Sequence, residues 1–378
     1  MAQPLTIASD QPRDDALTLG DHELESRLVE WFRAHGSALI GFSGGVDSAY
    51  LACVAVEALG ADRTLAVIGR SASYPAEQWE RARDVARDFA VPVLEISTDE
   101  INDPRYAANP SNRCYFCKTE LWDVLVPIAR DRGLAVVVDG TNADDLSDHR
   151  PGARAAAEHD VRSPLAELGF SKSVIRRLSR ARGIQTWTQP ASPCLSSRIP
   201  YGTAVTIERL GQIERAERSL RELGIGGDLR VRYHGDLARI EVGRDVLSAI
   251  VGSPMLLEMT RVVRDAGFDR VAIDARGFRS GSLNVLGGVV AEPLVRGRGA
   301  TVGDADGLRA ALRGAGSDCT IEARARLAIV TPASDAARSH LLATGSRTGV
   351  VDAARSHGFT SVAIELAAVG DDANVRRD

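Results

Sequence analysis

The stretch Ser43-Gly44-Gly45-Val46-Asp47-Ser48 lies between an apolar run, 38–42, and a helical pattern that opens at Ala49. A strand, a glycine-rich turn and a helix N-terminus in that order form an anion site. Glycine lets the backbone approach a ligand, and the free N–H groups and dipole of the helix favour phosphate. The serine hydroxyls add donors, and the Asp47 carboxylate suits Mg²⁺ beside a polyphosphate. No lysine follows the glycines, so this is not the Walker pattern. The alternative is a turn that needs glycine only for its shape.

Composition limits the classes of protein that remain. With 378 residues, 44% hydrophobic and 26% charged, the chain has room for two or three domains. A net charge of −5 argues against a protein whose main task is binding nucleic acid. No apolar run reaches the roughly 20 residues of a membrane helix, and 1–20 has no signal-peptide core. Five unevenly spaced cysteines do not indicate a secreted disulfide framework, so we expect a cytoplasmic protein.

Short apolar runs at 38–42, 64–69, 91–96 and 134–138 alternate with helical patterns. This predicts an α/β domain over 21–200, with a parallel sheet covered by helices, after a flexible lead-in at 1–20. Ligands of such sheets bind beyond the carboxyl ends of the strands. The glycine stretch, Ser71 with Ser73, and 140–145 with Gly140 and Asn142 all fall there. The last segment has the alternative of an Asx turn and helix cap.

The pattern changes near residue 205. Helices at 206–223 and 245–266 and strands at 229–233, 238–242 and 270–274 predict a smaller α+β domain over 205–284. Residues 300–367 are interpreted as a degenerate second copy, because His357–Ile364 resembles Ala266–Ile273. This copy keeps the apolar pattern but loses the paired arginines and Glu241, and a chance match is the alternative. A charged, frayed end is expected at 371–378.

Three cysteines form the second informative set. Cys114 and Cys117 are three positions apart at a predicted helix start, where N–H groups are expected to lower the thiol pKa, and Cys194 lies between prolines. Three thiolates are one short of a closed zinc site and suit a [4Fe–4S] cluster with one iron left free. The alternative is zinc, completed by His149 or His159.

The remaining two cysteines carry no such chemistry. Cys53 and Cys319 are expected to be small packing residues. A redox disulfide between Cys114 and Cys117 is less favoured, because the motif follows a polar loop rather than a strand.

Arg230 and Arg232 alternate along one strand, so both point to one face. Paired guanidinium groups bind phosphate bidentately. Glu241 on the neighbouring strand would orient them, and Glu214 and Glu217 of the preceding helix are weaker candidates for the same cleft. The alternative is a solvated surface.

Together these motifs resemble one family. The glycine stretch looks like the loop of enzymes that cleave ATP to AMP and pyrophosphate. The full set, in order along 22–284, resembles the LarE family of ATP-dependent sulfur transferases. Its motifs are Ser43–Ser48, Asn109–Lys118, Asp139–Asp145, Pro193–Arg198 with Pro200–Thr203, and Gly277–Ser282. The tail after about residue 290 departs from that pattern.

The resemblance implies ATP-dependent conversion of carboxylates of a pyridinium dicarboxylate mononucleotide into thiocarboxylates, during synthesis of a nickel-pincer nucleotide. ATP, Mg²⁺ and a [4Fe–4S] cluster would be the cofactors. The residues expected to bind ATP and metal are Ser43, Gly44, Gly45, Asp47, Ser48, Ser71, Gly140 and Asn142. Cys194, Asp47, Glu217 and Glu241 are the expected catalytic residues, and Arg230 and Arg232 would bind the substrate phosphate.

Within this family the sulfur comes from such a cluster or from a sacrificed cysteine, here Cys194. The three cysteines favour the cluster. The other readings are tRNA thiolation, a GMP- or NAD-synthetase-like ligase, and a zinc-stabilised nucleotide-binding scaffold. The expected partners are a homo-oligomeric copy and a sulfur donor protein or cysteine desulfurase, with neither a membrane nor a nucleic acid.

Overall fold

A computed structural model describes residues 16–147, 151–190, 193–279, 282–283 and 303–367. Its contacts divide the chain into two compact units. Among the described residues, the N-terminal unit comprises those up to Cys194 with Ala204–Ile207, and the C-terminal unit comprises Leu195–Thr203 and those from Glu208 onward. Most of the predicted lead-in (1–15) and the predicted frayed end (371–378) lie outside the described residues.

The N-terminal unit contains a four-stranded, fully parallel sheet in the order β3-β2-β1-β4. Its strands are β1 (Ala38–Gly41), β2 (Thr64–Arg70), β3 (Val93–Ser97) and β4 (Val136–Val138). Its helices are α1 (Leu19–His35), α2 (Val46–Leu59), α3 (Ala76–Asp88), α4 (Pro104–Ala107), α5 (Arg113–Asp131), α6 (Pro151–Glu158), α7 (Pro164–Glu167) and α8 (Lys172–Ala181). The predicted parallel α/β fold is confirmed.

Both faces of the sheet are buried along β1, most of β2 and β4, which explains the apolar sequences there, whereas the edge strand β3 (Val-Leu-Glu-Ile-Ser) is only partly buried. Ile40 and Ile68 belong to a core cluster with α2, whereas Leu39 and Val67 pack on the opposite face with Trp122 of α5. Successive strand residues point to opposite faces, so each strand contributes to both clusters. The carboxyl ends of β1 and β4 lie side by side, and the chain leaves β1 toward β2 on its other edge. That change of direction is where ligands bind in open α/β sheets.

The C-terminal unit contains a separate six-stranded mixed sheet in the order β5-β6-β7-β10-β9-β8. Its strands are β5 (Leu229–His234), β6 (Leu237–Val242), β7 (Arg270–Asp274), β8 (Cys319–Arg324), β9 (Leu327–Pro332) and β10 (Ser361–Glu365). Its helices are α9 (Ile207–Glu222), α10 (Arg244–Ile250), α11 (Met255–Asp265), α12 (Ala305–Gly314), α13 (Asp335–Leu342) and α14 (Thr344–Ser356). The order helix, two strands, two helices, strand occurs twice.

One predicted helix is wrong. The sequence pattern indicated a single helix over 245–266, but the structure has α10 and α11, bent by 108° at the break between them. Gly252 has a φ of +79°, and Pro254 stands directly before α11. Both interrupt the helix, because a left-handed backbone and a missing N–H cannot continue the hydrogen-bond ladder.

Within the described residues, no single helix combines the length and apolar composition needed to cross a membrane. The bent pair of α10 and α11 meets that criterion by length and composition only when the two helices are taken together.

Candidate functional site

The glycine stretch forms a tight loop between β1 and α2. Gly44 has a φ of +68°, and a Cβ there would lie 2.5 Å from the Ala82 Cβ. Gly45 is the residue before α2 and has no side-chain cap for the first N–H groups of the helix. The loop thus combines close packing against α3 with a helix N-terminus open to an anion.

Hydroxyl groups and α3 hold the loop in this shape. The Ser48 Oγ lies 3.1 Å from the Ser43 Oγ, and it accepts a hydrogen bond from the Ser43 N–H at 3.2 Å. The Ser43 carbonyl accepts bonds from Tyr74 Oη at 2.9 Å and from Gln78 Nε2 at 2.7 Å. The serines therefore organise the loop in this structure, and the backbone amides remain its main anion donors.

Asp47 forms an ion pair that the sequence did not reveal. The Lys172 ammonium, at the first residue of α8, donates to Asp47 Oδ2, and the Asp47 side chain is 18% exposed. The two residues are 125 positions apart, so no local motif contains them both. A lysine reaches the loop from α8, although none follows the glycines in the sequence.

The segment after β4 lies directly against this loop. A Cβ on Gly140 would lie 2.9 Å from the backbone nitrogen of Ser48, so only glycine fits there without displacement. Asn142 is buried, and its Oδ1 accepts from the backbone N–H groups of Asp144 (3.0 Å) and Asp145 (3.2 Å). The side-chain oxygen of Asn142 therefore shapes the turn, as expected for the alternative of an Asx turn and helix cap.

A hydrogen-bonded chain runs from the end of β2 toward the cysteines. The Ser71 Oγ lies 2.9 Å from the Ser73 Oγ, and Ser73 donates to Glu100 Oε1 at 3.1 Å. Glu100 is 2% exposed, and its other oxygen, Oε2, has no hydrogen-bond partner among the residues that the structure describes. Its charge acts on Cys117 and raises the pKa of that thiol. Sequence reasoning did not identify Glu100, because a single glutamate in a polar loop gives no signal.

The three cysteines of the predicted set belong to one unit and influence one another. Cys114 and Cys117 lie in the first turns of α5, and Cys194 ends the main segment of the unit. Burial raises the pKa of Cys117 well above its ordinary value, and the charges of Glu100, Cys194 and Cys114 raise it further. Cys114 has solvent-exposed surface, but the protein packed around its sulfur raises its pKa, with a contribution from Cys194.

The expected lowering of the thiol pKa by the helix N-terminus is therefore wrong for Cys114 and Cys117. Burial is the main cause of the raised pKa of both thiols, because loss of hydration disfavours the thiolate. A bound metal would reverse this balance, because coordination deprotonates thiols.

No group of three or more His, Cys, Asp and Glu side chains in the described residues is arranged to hold a metal ion. His159 lies 2.9 Å from Asp123 through Nε2 and 2.7 Å from the Ala155 carbonyl through Nδ1, so both ring nitrogens are engaged. His149, the other predicted zinc ligand, lies outside the described residues. Cys53 and Cys319 are buried, in keeping with packing roles.

In the C-terminal unit, the paired arginines of β5 are buried rather than solvated. Arg230 is 2% exposed and Arg232 is 5% exposed. Arg232 forms an ion pair with Glu241 at 2.8 Å and donates to the Ser197 carbonyl at 2.9 Å. The Arg230 guanidinium lies 5.2 Å from the ring centre of Phe278. Burial, together with repulsion from Arg198 and Arg232, lowers the pKa of Arg230 to about 10. A bound anion would relieve both effects.

Buried carboxylates hold the neighbouring arginines in place. Both oxygens of Glu217 accept from Arg198 at 2.9 Å, and Glu217 Oε1 also accepts from the Val231 N–H at 2.9 Å. Glu241 accepts from Arg232, from Arg239 at 3.0 Å and from Ser282 Oγ at 2.7 Å. Burial opposes ionisation, yet the arginines hold the pKa of both carboxyl groups below the ordinary range.

Arg198 belongs to the Pro193–Arg198 motif, but the sequence did not predict it as a site residue. Its pairing with Glu217 spans 19 positions and becomes apparent only in the folded chain.

Similarity to known proteins identifies the family of this chain. A family model described as NAD synthase matches residues 26–112. An uncharacterized protein of Synechocystis is 44% identical over 264 residues, which are 69% of this chain and 98% of that protein. The pyridinium-3,5-bisthiocarboxylic acid mononucleotide synthase of Lactiplantibacillus plantarum is 35% identical over 247 residues, which are 65% of this chain and 88% of that enzyme. An uncharacterized protein of Methanocaldococcus jannaschii is 31% identical over 258 residues. The chain therefore belongs to the LarE family of ATP-dependent sulfur transferases.

Proposed function

We propose that this enzyme adenylates a carboxylate of a pyridinium dicarboxylate mononucleotide and replaces it with a thiocarboxylate. The substrate class follows from the Lactiplantibacillus relative, whose name describes a bisthiocarboxylic acid mononucleotide. The observation that carries the proposal is one unit that holds both an anion-binding loop with the Lys172–Asp47 pair and three mutually interacting cysteines.

Activation is assigned to the loop. The amides at the start of α2 and the Lys172 ammonium would bind the pyrophosphate part of ATP, and Asp47 would hold Mg²⁺ with carboxylate oxygen, the donor that this ion prefers. A substrate carboxylate oxygen attacks the α-phosphorus, the bond to the β-phosphate oxygen breaks, and pyrophosphate leaves with the electron pair. An unreactive carboxylate thereby becomes an acyl adenylate.

Sulfur delivery is assigned to Cys114, Cys117 and Cys194. Three thiols fit a [4Fe–4S] cluster with one iron left free, whereas a closed tetrahedral zinc site needs a fourth ligand. His159, a candidate for that ligand, already has both ring nitrogens in hydrogen bonds. Such a cluster, when bound, supplies transferable sulfide. Sulfide delivered there would form the C–S bond at the acyl carbon while the acyl C–O bond breaks and AMP leaves with that electron pair, so no oxidant or reductant is needed.

Arg230 and Arg232 would bind the substrate phosphate and thereby fix its position. Because Glu217 and Glu241 have lowered pKa values and engage arginines through both oxygens, we assign them to positioning these guanidinium groups rather than to proton transfer. Ser71, Gly140 and Asn142 would shape the nucleotide side of the site.

Three further features belong to the proposal. The reaction would occur in the cytoplasm, where ATP and reduced thiols are available. A sulfur donor protein or cysteine desulfurase would restore the sulfur after turnover. The enzyme would act as a homo-oligomer.

The test is anaerobic turnover with ATP, Mg²⁺ and the pyridinium dicarboxylate mononucleotide, with AMP, pyrophosphate and thiocarboxylate quantified alongside iron and acid-labile sulfide. We expect one AMP for each thiocarboxylate formed, and iron and sulfide that disappear in Cys117→Ser but remain in Cys53→Ser. AMP formation that does not depend on the dicarboxylate, or zinc in place of iron, would contradict the proposal.

A further inference from the structure

The α+β domain that contains β5–β7 and its second copy, which contains β8–β10, are joined in one sheet through β7 and β10. In the first copy, β6 pairs with β7 so that Leu237 lies opposite Arg270. In the second copy, β9 pairs with β10 in the equivalent register, with Leu327 opposite Ser361. The copies therefore share strand order, direction and register, and β7 would be an edge strand if the second copy were absent.

The junction between the copies has local two-fold symmetry. Val271-Ala272-Ile273-Asp274 and Val362-Ala363-Ile364-Glu365 occupy equivalent positions. In the antiparallel pairing Ile273 lies opposite Ile364, Ala272 opposite Glu365, and Asp274 opposite Ala363. Exchanging the copies maps this set of pairs onto itself, with the axis between the two isoleucines.

The flanking hydrogen bonds obey the same symmetry. The Ala275 N–H donates to the Val362 carbonyl at 3.0 Å, and the Leu366 N–H donates to the Val271 carbonyl at 2.9 Å. These bonds are equivalents of each other under the exchange of copies. A self-complementary patch of this kind is what an isologous dimer uses, because each residue must meet its own equivalent.

The two copies also bury a common apolar cluster. Its members are Leu237 and Ala272 of the first copy and Leu327, Ile329 and Ala363 of the second, all at most 1% exposed. Shared burial of this kind is typical of a permanent interface rather than a loose contact between domains.

Ion pairs across the junction break the symmetry. Arg270 of the first copy contacts Glu365 at 2.7 Å and Glu322 at 2.6 Å, while Arg324 of the second copy contacts Asp236 at 2.8 Å. The first-copy equivalents of Glu322 and Arg324 are Arg232 and His234, so the first copy cannot supply the contacts of these two residues, whereas Glu365 has an acidic equivalent in Asp274.

The second copy has also lost the buried arginine cluster. Thr320, Glu322 and Thr331 stand where the first copy has Arg230, Arg232 and Glu241. The second copy thus keeps the pairing surface and lacks the phosphate-binding residues. The Synechocystis relative, matched over 98% of its length by 69% of this chain, has no counterpart of nearly a third of this chain.

We propose that the β7 edge is a self-association surface and that the C-terminal copy is a second subunit, fused into the chain, that occupies it. The partner that fits this edge is another copy of the same unit, paired β7 to β7 around Ile273. The Arg270 and Arg324 ion pairs make the fused copy a better partner than a second chain. This inference does not depend on sulfur transfer.

The test uses the full chain with a protease site inserted between residues 288 and 295, in the sequence between the two copies, and cleaved after folding. The variant Glu322→Arg/Glu365→Arg reverses the tail charges that meet Arg270 and leaves β7 unchanged. The matched control, Asp306→Arg/Asp318→Arg, changes the charge equally at carboxylates that pair with Arg309 and Arg313 inside the second copy. Circular dichroism confirms folding, and native mass spectrometry reports retention of the tail and the number of subunits.

The cleaved wild type and the control are expected to retain the tail at one per N-terminal fragment. The charge-reversed protein is expected to bind its tail at least about tenfold more weakly, and its released N-terminal fragment to assemble with twice the subunit number of the uncut protein. Adding Arg270→Glu to the reversed variant should restore retention, which separates lost pairing from misfolding. Equal retention in the reversed and control proteins, or a released fragment with the subunit number of the uncut protein, would overturn the proposal.

Discussion

At the scale of single residues, the contact between Asp47 and Lys172 determines how charge is arranged at the loop. Asp47 lies in the first turn of α2, where a carboxylate is favoured by the helix dipole but would repel a polyphosphate. Lys172 neutralises it from α8. The pair thus balances the charge at the loop, so the Asp47 carboxylate opposes a bound anion less strongly.

Replacing Lys172 with Met is expected to lower kcat for pyrophosphate release by roughly 10²-fold, because one positive group that stabilises the developing charge is lost. Steady-state pyrophosphate assays would measure this effect, and Lys172→Arg should retain most of the activity. Arg180→Met removes a charge from the same helix next to Trp187 and serves as the control. An equal loss in both Met variants would show that Lys172 acts only through the stability of α8.

Gly44 and Gly45 offer a matched pair. Gly44→Ala is expected to destabilise the fold by about 2 kcal/mol or more, because the residue has a positive φ and its Cβ would meet Ala82 at 2.5 Å. Gly45→Ala should have little effect on stability, since its φ is −73° and its nearest neighbour would be 3.6 Å away. Thermal unfolding of both variants measures the difference. Equal melting temperatures would refute the loop geometry.

At the scale of elements, β5 and α9 are connected by the buried pair of Arg198 and Glu217. Glu217 lies on α9 and also accepts the backbone N–H of Val231 in β5. The carboxylate therefore sets the position of the strand that carries Arg230 and Arg232. Removing one partner of a buried ion pair leaves an uncompensated charge, which is costlier than the loss of an exposed pair.

Glu217→Gln is therefore expected to destabilise the protein by about 3–5 kcal/mol at neutral pH. The folded protein holds the Glu217 pKa below the ordinary value of about 4.3, so this contribution is present above that pH and is lost as pH falls through the folded pKa. Urea unfolding of the wild type and Glu217→Gln, from neutral pH down to about pH 3, measures the difference in their free energies of unfolding. This difference should become smaller below about pH 4.3, and a difference that stays constant with pH would contradict a lowered Glu217 pKa.

Elements with local signals could be predicted from the sequence. Apolar runs at 38–42 and 64–69 became β1 and β2, and the glycine stretch became the turn before α2, because each depends on neighbours in the chain. The break between α10 and α11 was missed although Gly252 and Pro254 mark it locally, because the apolar residues on both sides were assigned to one helix. Lys172 and Glu100 were missed because their contacts join distant segments.

At the scale of the whole molecule, the chain consists of two units that contain different groups of polar residues. The N-terminal unit holds the loop, the Lys172–Asp47 pair and the three cysteines, and the C-terminal unit holds the buried arginines. The repeat could be inferred from sequence as a pattern, whereas the two-fold pairing of β7 with β10 could not. Strand register depends on long-range contacts that local patterns do not specify.

The measurement that tests the central claim most directly is peptide mass spectrometry of Cys194 after one anaerobic turnover with ATP and the dicarboxylate mononucleotide. We predict thiocarboxylated nucleotide equal in amount to AMP, with Cys194 unchanged, because the proposed function takes the sulfur from a centre held by Cys114, Cys117 and Cys194 rather than from Cys194 itself. Dehydroalanine at position 194 would show that the cysteine itself was sacrificed. AMP without any thiocarboxylate would contradict sulfur transfer altogether.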